Sequence, residues 1–153
     1  MPRTSAGLLM YRRKDGALEV LLVHPGGPFW AKKDLGAWTI PKGEPEEGED
    51  ALTTARREFE EETGIEPCGP FHPLGNIKQK GGKVVHAWAF EGNCDAAAIR
   101  SNTIKIEWPP RSGQWREFPE VDRAEWFRLI DARARINPAQ VPLLDHLVQM
   151  IKG

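Results

Sequence analysis

The stretch GEPEEGEDALTTARREFEEETGI, residues 43–65, places eight glutamates and one aspartate within 23 positions. Residues 50–63 contain neither glycine nor proline, and their apolar side chains recur at helical spacing, so the pattern predicts an amphipathic helix that ends at Gly64. Like charges three or four residues apart repel one another on a helix. The crowding of these carboxylates therefore needs an explanation.

Three of the carboxylates share one side of the predicted helix. At about 100° per residue, Glu58, Glu61 and Glu62 fall within an arc of about 100°, beside the apolar stripe that contains Phe59. Magnesium would relieve their repulsion, because this hard cation takes carboxylate and carbonyl oxygens together with water and substrate phosphates. The alternative is a solvated acidic helix face, which is the commoner explanation of a charge run.

The spacing of the stretch is more specific than its charge. From Gly43 to Ile65 it resembles the Nudix box, G-x5-E-x7-R-E-U-x-E-E-x-G-U with U apolar, at all nine specified positions. The resemblance extends from Ser5 to Phe127 through an N-terminal hairpin, the segment W-x-x-P-K-G and a late E-W strand. It implies a single Nudix domain over residues 1–153, with an α/β fold of the α/β/α sandwich type and a mixed central sheet.

The resemblance also implies roles for the residues that match the box. The expected metal ligands are Gly43 through its carbonyl group, Glu58, Glu61, Glu62 and, from a later loop, Glu120. The expected catalytic residues are Glu58, Glu61 and Glu120. Glu61 is the nearest candidate for the general base, and Glu120 is its competitor. Glu49 and Arg57 would form a supporting ion pair that holds the loop against the helix.

Nudix resemblance implies hydrolysis of a nucleoside diphosphate linked to another group, with magnesium as the cofactor and manganese as the alternative. Residues 38–65 particularly resemble the asymmetrically cleaving diadenosine tetraphosphate hydrolases of that family. We therefore expect cleavage of a diphosphate linkage in a dinucleoside polyphosphate or a related nucleotide. Three alternatives stay open: a pyrophosphohydrolase of non-standard nucleoside triphosphates, an activity on RNA 5′ ends, and a non-catalytic module that senses a nucleotide.

Substrate-binding residues must be sought outside the box. Lys42, adjacent to the box, could stabilise the leaving phosphate. Two predicted loops pair an aromatic ring with a cation, Trp30 with Lys32 and Trp115 with Arg116, and such pairs can stack a base and meet a phosphate. Packing of the loop is an equally good explanation of Trp30.

The remaining elements follow from hydrophobic pattern and turn residues. Strands are predicted at residues 5–13, 18–24, 37–40, 71–79, 83–91, 104–108 and 123–129, with Trp38, Trp88 and Trp126 in the core. The first two strands form one hairpin, and the fourth and fifth form another. Residues 25–38 and 108–122 are predicted as loops because of their prolines and glycines. A second helix is expected to begin at Pro138, with Asn137 as its cap.

Length and composition set the outer limits of this interpretation. A chain of 153 residues with a formal net charge of −1 fits one domain and lacks the bulk charge that favours duplex nucleic acid or a membrane surface. No apolar run suits a membrane span or a signal peptide, so we expect a cytoplasmic protein. Its expected partner is a small-molecule nucleotide, and a homodimer stays open. Cys68 and Cys94 are expected to be reduced structural thiols.

Overall fold

The computed structural model describes residues 3–153, whose strands form a six-stranded mixed sheet and a separate two-stranded sheet. The strands are β1 (Thr4–Lys14), β2 (Ala17–Pro25), β3 (Lys42–Gly43), β4 (His72–Lys78), β5 (Val84–Glu91), β6 (Thr103–Glu107), β7 (Trp115–Pro119) and β8 (Val121–Arg128). The helices are α1 (Ala51–Thr63), α2 (Leu129–Arg135) and α3 (Val141–Lys152). The large sheet has the order β4-β5-β1-β2-β8, and β3 pairs with β1.

Alternation of side chains along the central strands divides the core into two layers. On one face of the sheet, Leu8 and Met10 of β1 belong to the cluster that includes Phe59 of α1. On the other face, Leu9 of β1 belongs to the cluster that includes Leu144 of α3 and part of α2. Since β1 and β5 run parallel while the other neighbours are antiparallel, the predicted α/β/α sandwich with a mixed central sheet is confirmed.

Helix α1 begins and ends where its sequence predicts. The side chain of Asp50 accepts a hydrogen bond from the backbone N–H of Thr53 at 3.3 Å, which caps the helix start. Gly64 adopts a left-handed conformation with φ of 76°, and its N–H donates to the carbonyl of Glu60, which closes the helix end. Both predicted hairpins, β1 with β2 and β4 with β5, are also present.

The predicted strand at residues 37–40 is wrong. Trp38 and Thr39 make only isolated bridges, and the short strand β3 follows at residues 42–43 instead. Pro41 has no N–H to donate, and the N–H of Ile40 donates to the side chain of Gln140 at 3.1 Å. Thr39 exchanges two backbone hydrogen bonds with Val23, but the side-chain bond of Ile40 and the missing N–H of Pro41 keep this pairing from extending into a strand.

Two further predictions fail in the C-terminal half. Residues 108–122 are not only loop, because β7 within them pairs antiparallel with β6. The prolines lie at the hairpin turn and at the end of β7, where they remove no bond from the ladder. The expected helix from Pro138 begins as a 3₁₀ turn over residues 138–140, capped by Asn137, and α3 starts at Val141. The seven-residue helix α2 was not predicted.

The strand tryptophans differ in burial. Trp38 is buried, whereas Trp88 and Trp126 are partly buried and pack against the core. Cys94 is half-buried, Cys68 is exposed, and both are free thiols. No helix within residues 3–153 is both long enough and apolar enough to cross a membrane.

Candidate active site

Three carboxylates meet beside the C-terminal half of α1. Glu58 and Glu62 lie one turn apart on this helix and are only 8% and 4% exposed, and Glu120 lies between β7 and β8. Each offers one oxygen, and the three oxygens lie within 4.8 Å of one another. We refer to Glu58, Glu62 and Glu120 as the carboxylate trio.

The trio is electrostatically strained without a cation. Burial raises the pKa of Glu62 well above its usual value, and the charges of Glu120 and Glu58 raise it further. Burial also raises the pKa of Glu58. Both shifts disfavour the ionised form, because water is removed from groups that already face like charges. A divalent cation between the three groups would reverse this preference.

The donor set fits such a cation. The Oε2 atom of Glu62 is buried and has no hydrogen-bond partner among the residues that the structure describes. An unpaired buried oxygen is costly, and a metal ion would satisfy it. Carboxylate oxygens are the ligands that magnesium prefers.

Gly43 lies directly against the trio. Strand β3 pairs with β1 through Gly43 and Ala6, which holds the glycine over α1. A Cβ atom added to Gly43 would lie 2.1 Å from Cδ of Glu58, far inside van der Waals contact. The missing side chain of the first box glycine thus leaves room for the Glu58 carboxylate to lie against the backbone, and a Cβ atom there would displace that carboxylate.

Arg57 ties the loop before α1 to the carboxylates. Its Nε and Nη2 atoms donate to the two oxygens of Glu49, each at 2.9 Å. These bonds are the main reason that the pKa of Glu49 falls to about 2. The Nη1 atom donates to Glu58 at 2.9 Å, so one guanidinium orients both the loop and a member of the trio.

Glu61 is not a member of the trio, but it shares the Nη1 atom of Arg57 with Glu58, and its predicted role as a metal ligand stays a prediction. Its side chain is 39% exposed, and both of its oxygens accept from Nη1 of Arg57 at 3.2 Å. The helical arc groups Glu61 with Glu58 and Glu62, but Arg57 lies four residues earlier on the same face and draws the Glu61 carboxylate to itself.

Residues 101–102 bridge α1 and Glu120. The N–H of Asn102 donates to the carbonyl of Glu61 at 2.8 Å, and the carbonyl of Asn102 accepts from the N–H of Glu120 at 2.9 Å. The hydroxyl of Ser101 accepts from the N–H of Val121 at 3.0 Å and donates to the Asn102 carbonyl at 2.8 Å. This bridge fixes the distance between Glu120 and the helix. Nothing in the sequence indicated it.

Comparison with known proteins identifies the family. A family model described as the NUDIX domain matches residues 1–147. This chain belongs to the Nudix family. Glu58, Glu62, Gly43 and Arg57 therefore show the geometry of a Nudix box, to which Glu120 is added from outside the box.

Curated relatives match parts of this Nudix chain. The bis(5′-nucleosyl)-tetraphosphatase [asymmetrical] of Rattus norvegicus is 33% identical over 103 residues, which cover 60% of this chain and 66% of that protein. The mRNA-decapping protein g5R of African swine fever virus (isolate Warthog/Namibia/Wart80/1980) is 71% identical over 28 residues, which cover 18% of this chain and 11% of that protein. The chain thus aligns with just under two thirds of the rat protein and a small part of the viral one.

Solved structures match over nearly the whole Nudix chain. A binary complex of C. elegans Ap4A hydrolase superposes with a TM-score of 0.69 and 25% identity, covering 99% of this chain and 98% of that one. The NUDIX domain of Shewanella oneidensis NrtR complexed with ADP ribose gives a TM-score of 0.68 at 19% identity, covering 99% and 89%. At this identity, the similarity to NrtR concerns the fold alone.

Two of the predicted substrate-binding residues of this Nudix chain line a cleft beside the trio. Lys42 lines a pocket with Glu62 and Glu120, and it also lines an adjoining pocket with Trp30. Burial lowers the pKa of Lys42 and the nearby Lys83 adds to this, while the trio opposes both effects. Trp30 is 39% exposed, so part of its ring is accessible.

The other predicted substrate-binding residues lie elsewhere on the surface. Lys32 is exposed in the loop that carries Trp30. Trp115 and Arg116 lie on β7, opposite Glu107 and Ile106 of the two-stranded sheet. The described contacts join none of the three to the trio, and their role stays a prediction.

Sequence reasoning missed three polar residues of the cleft, Thr39, Gln79 and Gln140. Gln140 is fully buried and hydrogen-bonded to both other side chains. The three positions are widely separated in the chain, so no local spacing could reveal the contact. The only signal was a glutamine within the apolar pattern that precedes α3.

Proposed function

We propose that this Nudix chain is a magnesium-dependent hydrolase of phosphoric anhydride bonds that cleaves a dinucleoside polyphosphate. The observation that carries the proposal is the carboxylate trio, two of whose members are buried, at the wall of a cleft that also contains Lys42. The rat and C. elegans relatives, named for the same substrate class, support the choice of substrate.

Each residue has a distinct task in this proposal. Glu58, Glu62 and Glu120 would hold the metal ions, and the carbonyl of Gly43 would be a further ligand. Bound magnesium would neutralise phosphate oxygens and lower the pKa of a water molecule. In the hydrolysis a water oxygen would attack phosphorus, the P–O bond to the leaving phosphate would break, and the water proton would pass to a protein carboxylate. Lys42 stabilises the negative charge that develops on the leaving group.

We propose that Glu61 is the general base that accepts the proton of the attacking water. Glu120 is the competitor, but its oxygen lies within the trio and is required there as a ligand. Glu61 lies outside the trio, its side chain is accessible to water, and Arg57 orients both carboxylate oxygens. A group that is not occupied with a metal is free to accept a proton.

Product analysis tests the substrate. Diadenosine tetraphosphate should give ATP and AMP in the presence of magnesium, whereas a nucleoside triphosphate that is converted to its monophosphate and pyrophosphate at a higher kcat/KM would refute the choice. Manganese is expected to replace magnesium. Failure to turn over either nucleotide or a capped RNA would refute catalysis and leave a binding module.

A matched pair of variants tests the general base. Glu61→Gln is expected to lower kcat at least about 100-fold, as for loss of a positioned base, while magnesium affinity changes little. Glu60→Gln, on the exposed side of the same helix, should match wild type. Equal rates for wild type and Glu61→Gln would remove Glu61 from the mechanism.

A further inference from the structure

Next to the trio, the cleft continues into a second pocket of about 190 Å³, here called the amide pocket. It shares Pro25, Thr39 and Lys42 with the pocket that reaches the trio. A phosphate bound near Lys42 would therefore carry its attached group into the amide pocket. The volume is smaller than the roughly 300 Å³ of typical small-molecule sites, so it suits one ring system and not a whole dinucleotide.

A chain of hydrogen bonds fixes the direction of the amide groups around this pocket. The backbone N–H of Ile40 can only donate, and it donates to Oε1 of Gln140 at 3.1 Å. The Nε2 atom of Gln140 therefore faces the other way, and it donates to Thr39 Oγ1 at 2.8 Å and to Gln79 Oε1 at 2.9 Å. Turning over the fully buried amide of Gln140 would place its NH2 group against the Ile40 N–H.

The orientation of Gln79 follows from this chain. Its Oε1 is used by Gln140, and its Nε2 has no partner among residues 3–153. Gln79 is half-buried and lines the amide pocket. Its two amide hydrogens are thus available as donors for a ligand. Their orientation is set by the Ile40 N–H, which acts through Gln140.

Trp30 supplies the other half of the site. Its ring lines the same pocket, and the ammonium group of Lys33 lies 5.1 Å from the ring centroid. Aromatic rings of this kind stack nucleobases with little preference for sequence. We propose that the amide pocket binds one nucleobase of the substrate, which stacks on Trp30 and accepts a hydrogen bond at a ring nitrogen or carbonyl oxygen from Gln79. Gln140 is the positioning residue. The nucleotide nature of the ligand rests on the proposed function.

Binding of two small ligands separates base recognition from phosphate recognition. Wild type should bind AMP at least about tenfold more tightly than ribose 5-phosphate in magnesium, from one stacking contact and one neutral hydrogen bond. In ¹H–¹⁵N spectra, the Gln79 side-chain amide should shift with AMP only. Equal affinity for the two ligands would overturn the proposal.

Substitutions of Gln79 test the direction of the bond. Gln79→Glu keeps an acceptor for Gln140 but replaces the free donor with an acceptor, and Gln79→Leu removes the group without adding charge. Both should reduce the AMP to ribose 5-phosphate affinity ratio by about 2- to 10-fold. If Gln79 had a purely structural role, its substitution would weaken the binding of AMP and of ribose 5-phosphate equally. The affinity ratio would then keep its wild-type value, which would overturn the proposal.

The controls keep this test separate from catalysis. Gln149→Glu makes the same change on the exposed side of α3 and should retain the wild-type ratio. Trp30→Ala should lower the ratio at least about fivefold through loss of stacking. Because the assay measures binding and not turnover, a chain that fails to cleave any nucleotide would refute the proposed function while the ratio still reports on the amide pocket.

Discussion

Replacing Glu62 with glutamine should stabilise the metal-free protein. Glu62 is 4% exposed and lies within 4.8 Å of two other carboxylate oxygens. At an effective dielectric constant of about 20, one such pair of unit charges costs about 3.5 kcal/mol. Glutamine keeps the shape of the side chain, removes the charge, and can donate to a neighbouring carboxylate.

Protonation limits the size of the effect. The usual pKa of this carboxyl is 4.5, so holding its proton at pH 7 costs the folded state at most about 3.4 kcal/mol, from about 1.36 kcal/mol per pH unit. Lys42 offsets part of the repulsion. We expect Glu62→Gln to raise the free energy of unfolding by about 1–3 kcal/mol at pH 7 without metal, or about 2–4 °C in Tm for each kcal/mol.

The pH dependence gives the sign of the effect. Because the pKa of Glu62 is raised in the folded state, the native protein binds more protons than the unfolded chain above pH 4.5, and stability falls as pH rises through this window. The advantage of Glu62→Gln should therefore vanish near pH 4 and grow toward neutral pH.

Urea unfolding in chelator at several pH values measures this difference, with Glu60→Gln as the control on the same helix. Magnesium at 100 times its Kd should add about 2.7 kcal/mol to wild type and much less to Glu62→Gln. A variant that is less stable than wild type at pH 7 without metal would refute the electrostatic reasoning.

Three further predictions concern the surroundings of the trio. Gly43→Ala places a Cβ against Glu58 and should abolish magnesium binding while circular dichroism retains the fold; unaltered calorimetric binding would contradict this. Ser101→Ala removes the acceptor for the Val121 N–H and should cost about 1–3 kcal/mol in urea unfolding and weaken magnesium binding through Glu120, whereas unchanged affinity would show that the bridge does not position this residue. The pKa of Glu49 is about 2, so its contribution to stability is present above pH 4.5 and disappears as pH falls toward 2; Glu49→Gln should lose more stability at pH 6 than at pH 2, and equal losses would refute the ion pair.

Local sequence rules were sufficient to predict elements whose stabilising groups lie close together in the sequence. The cap at Asp50, the left-handed Gly64 and the periodic apolar face determine α1, and the Asp-Gly turn determines the first hairpin. The sequence placed Glu58 and Glu62 on one side of α1 for the same reason. The family resemblance, and not a local rule, pointed to Glu120 in a later loop, and the structure brings this residue to the other two.

The errors arose where tertiary contacts compete with local pattern. The N–H of Ile40 donates to a glutamine 100 positions away and Pro41 has no N–H, so the bridge between Thr39 and Val23 does not extend into a strand. The Ser101 bridge and the orientation of Gln79 depend on residues distant in the chain, and helical or strand periodicity carries no information about them.

A crystal soaked in manganese and a non-hydrolysable dinucleoside polyphosphate tests the metal site most directly. We predict an anomalous peak within about 2.0–2.4 Å of oxygens from Glu58, Glu62 and Glu120, the range of hard-cation bonds. An empty trio at saturating manganese, or a peak held only by other residues, would contradict the account.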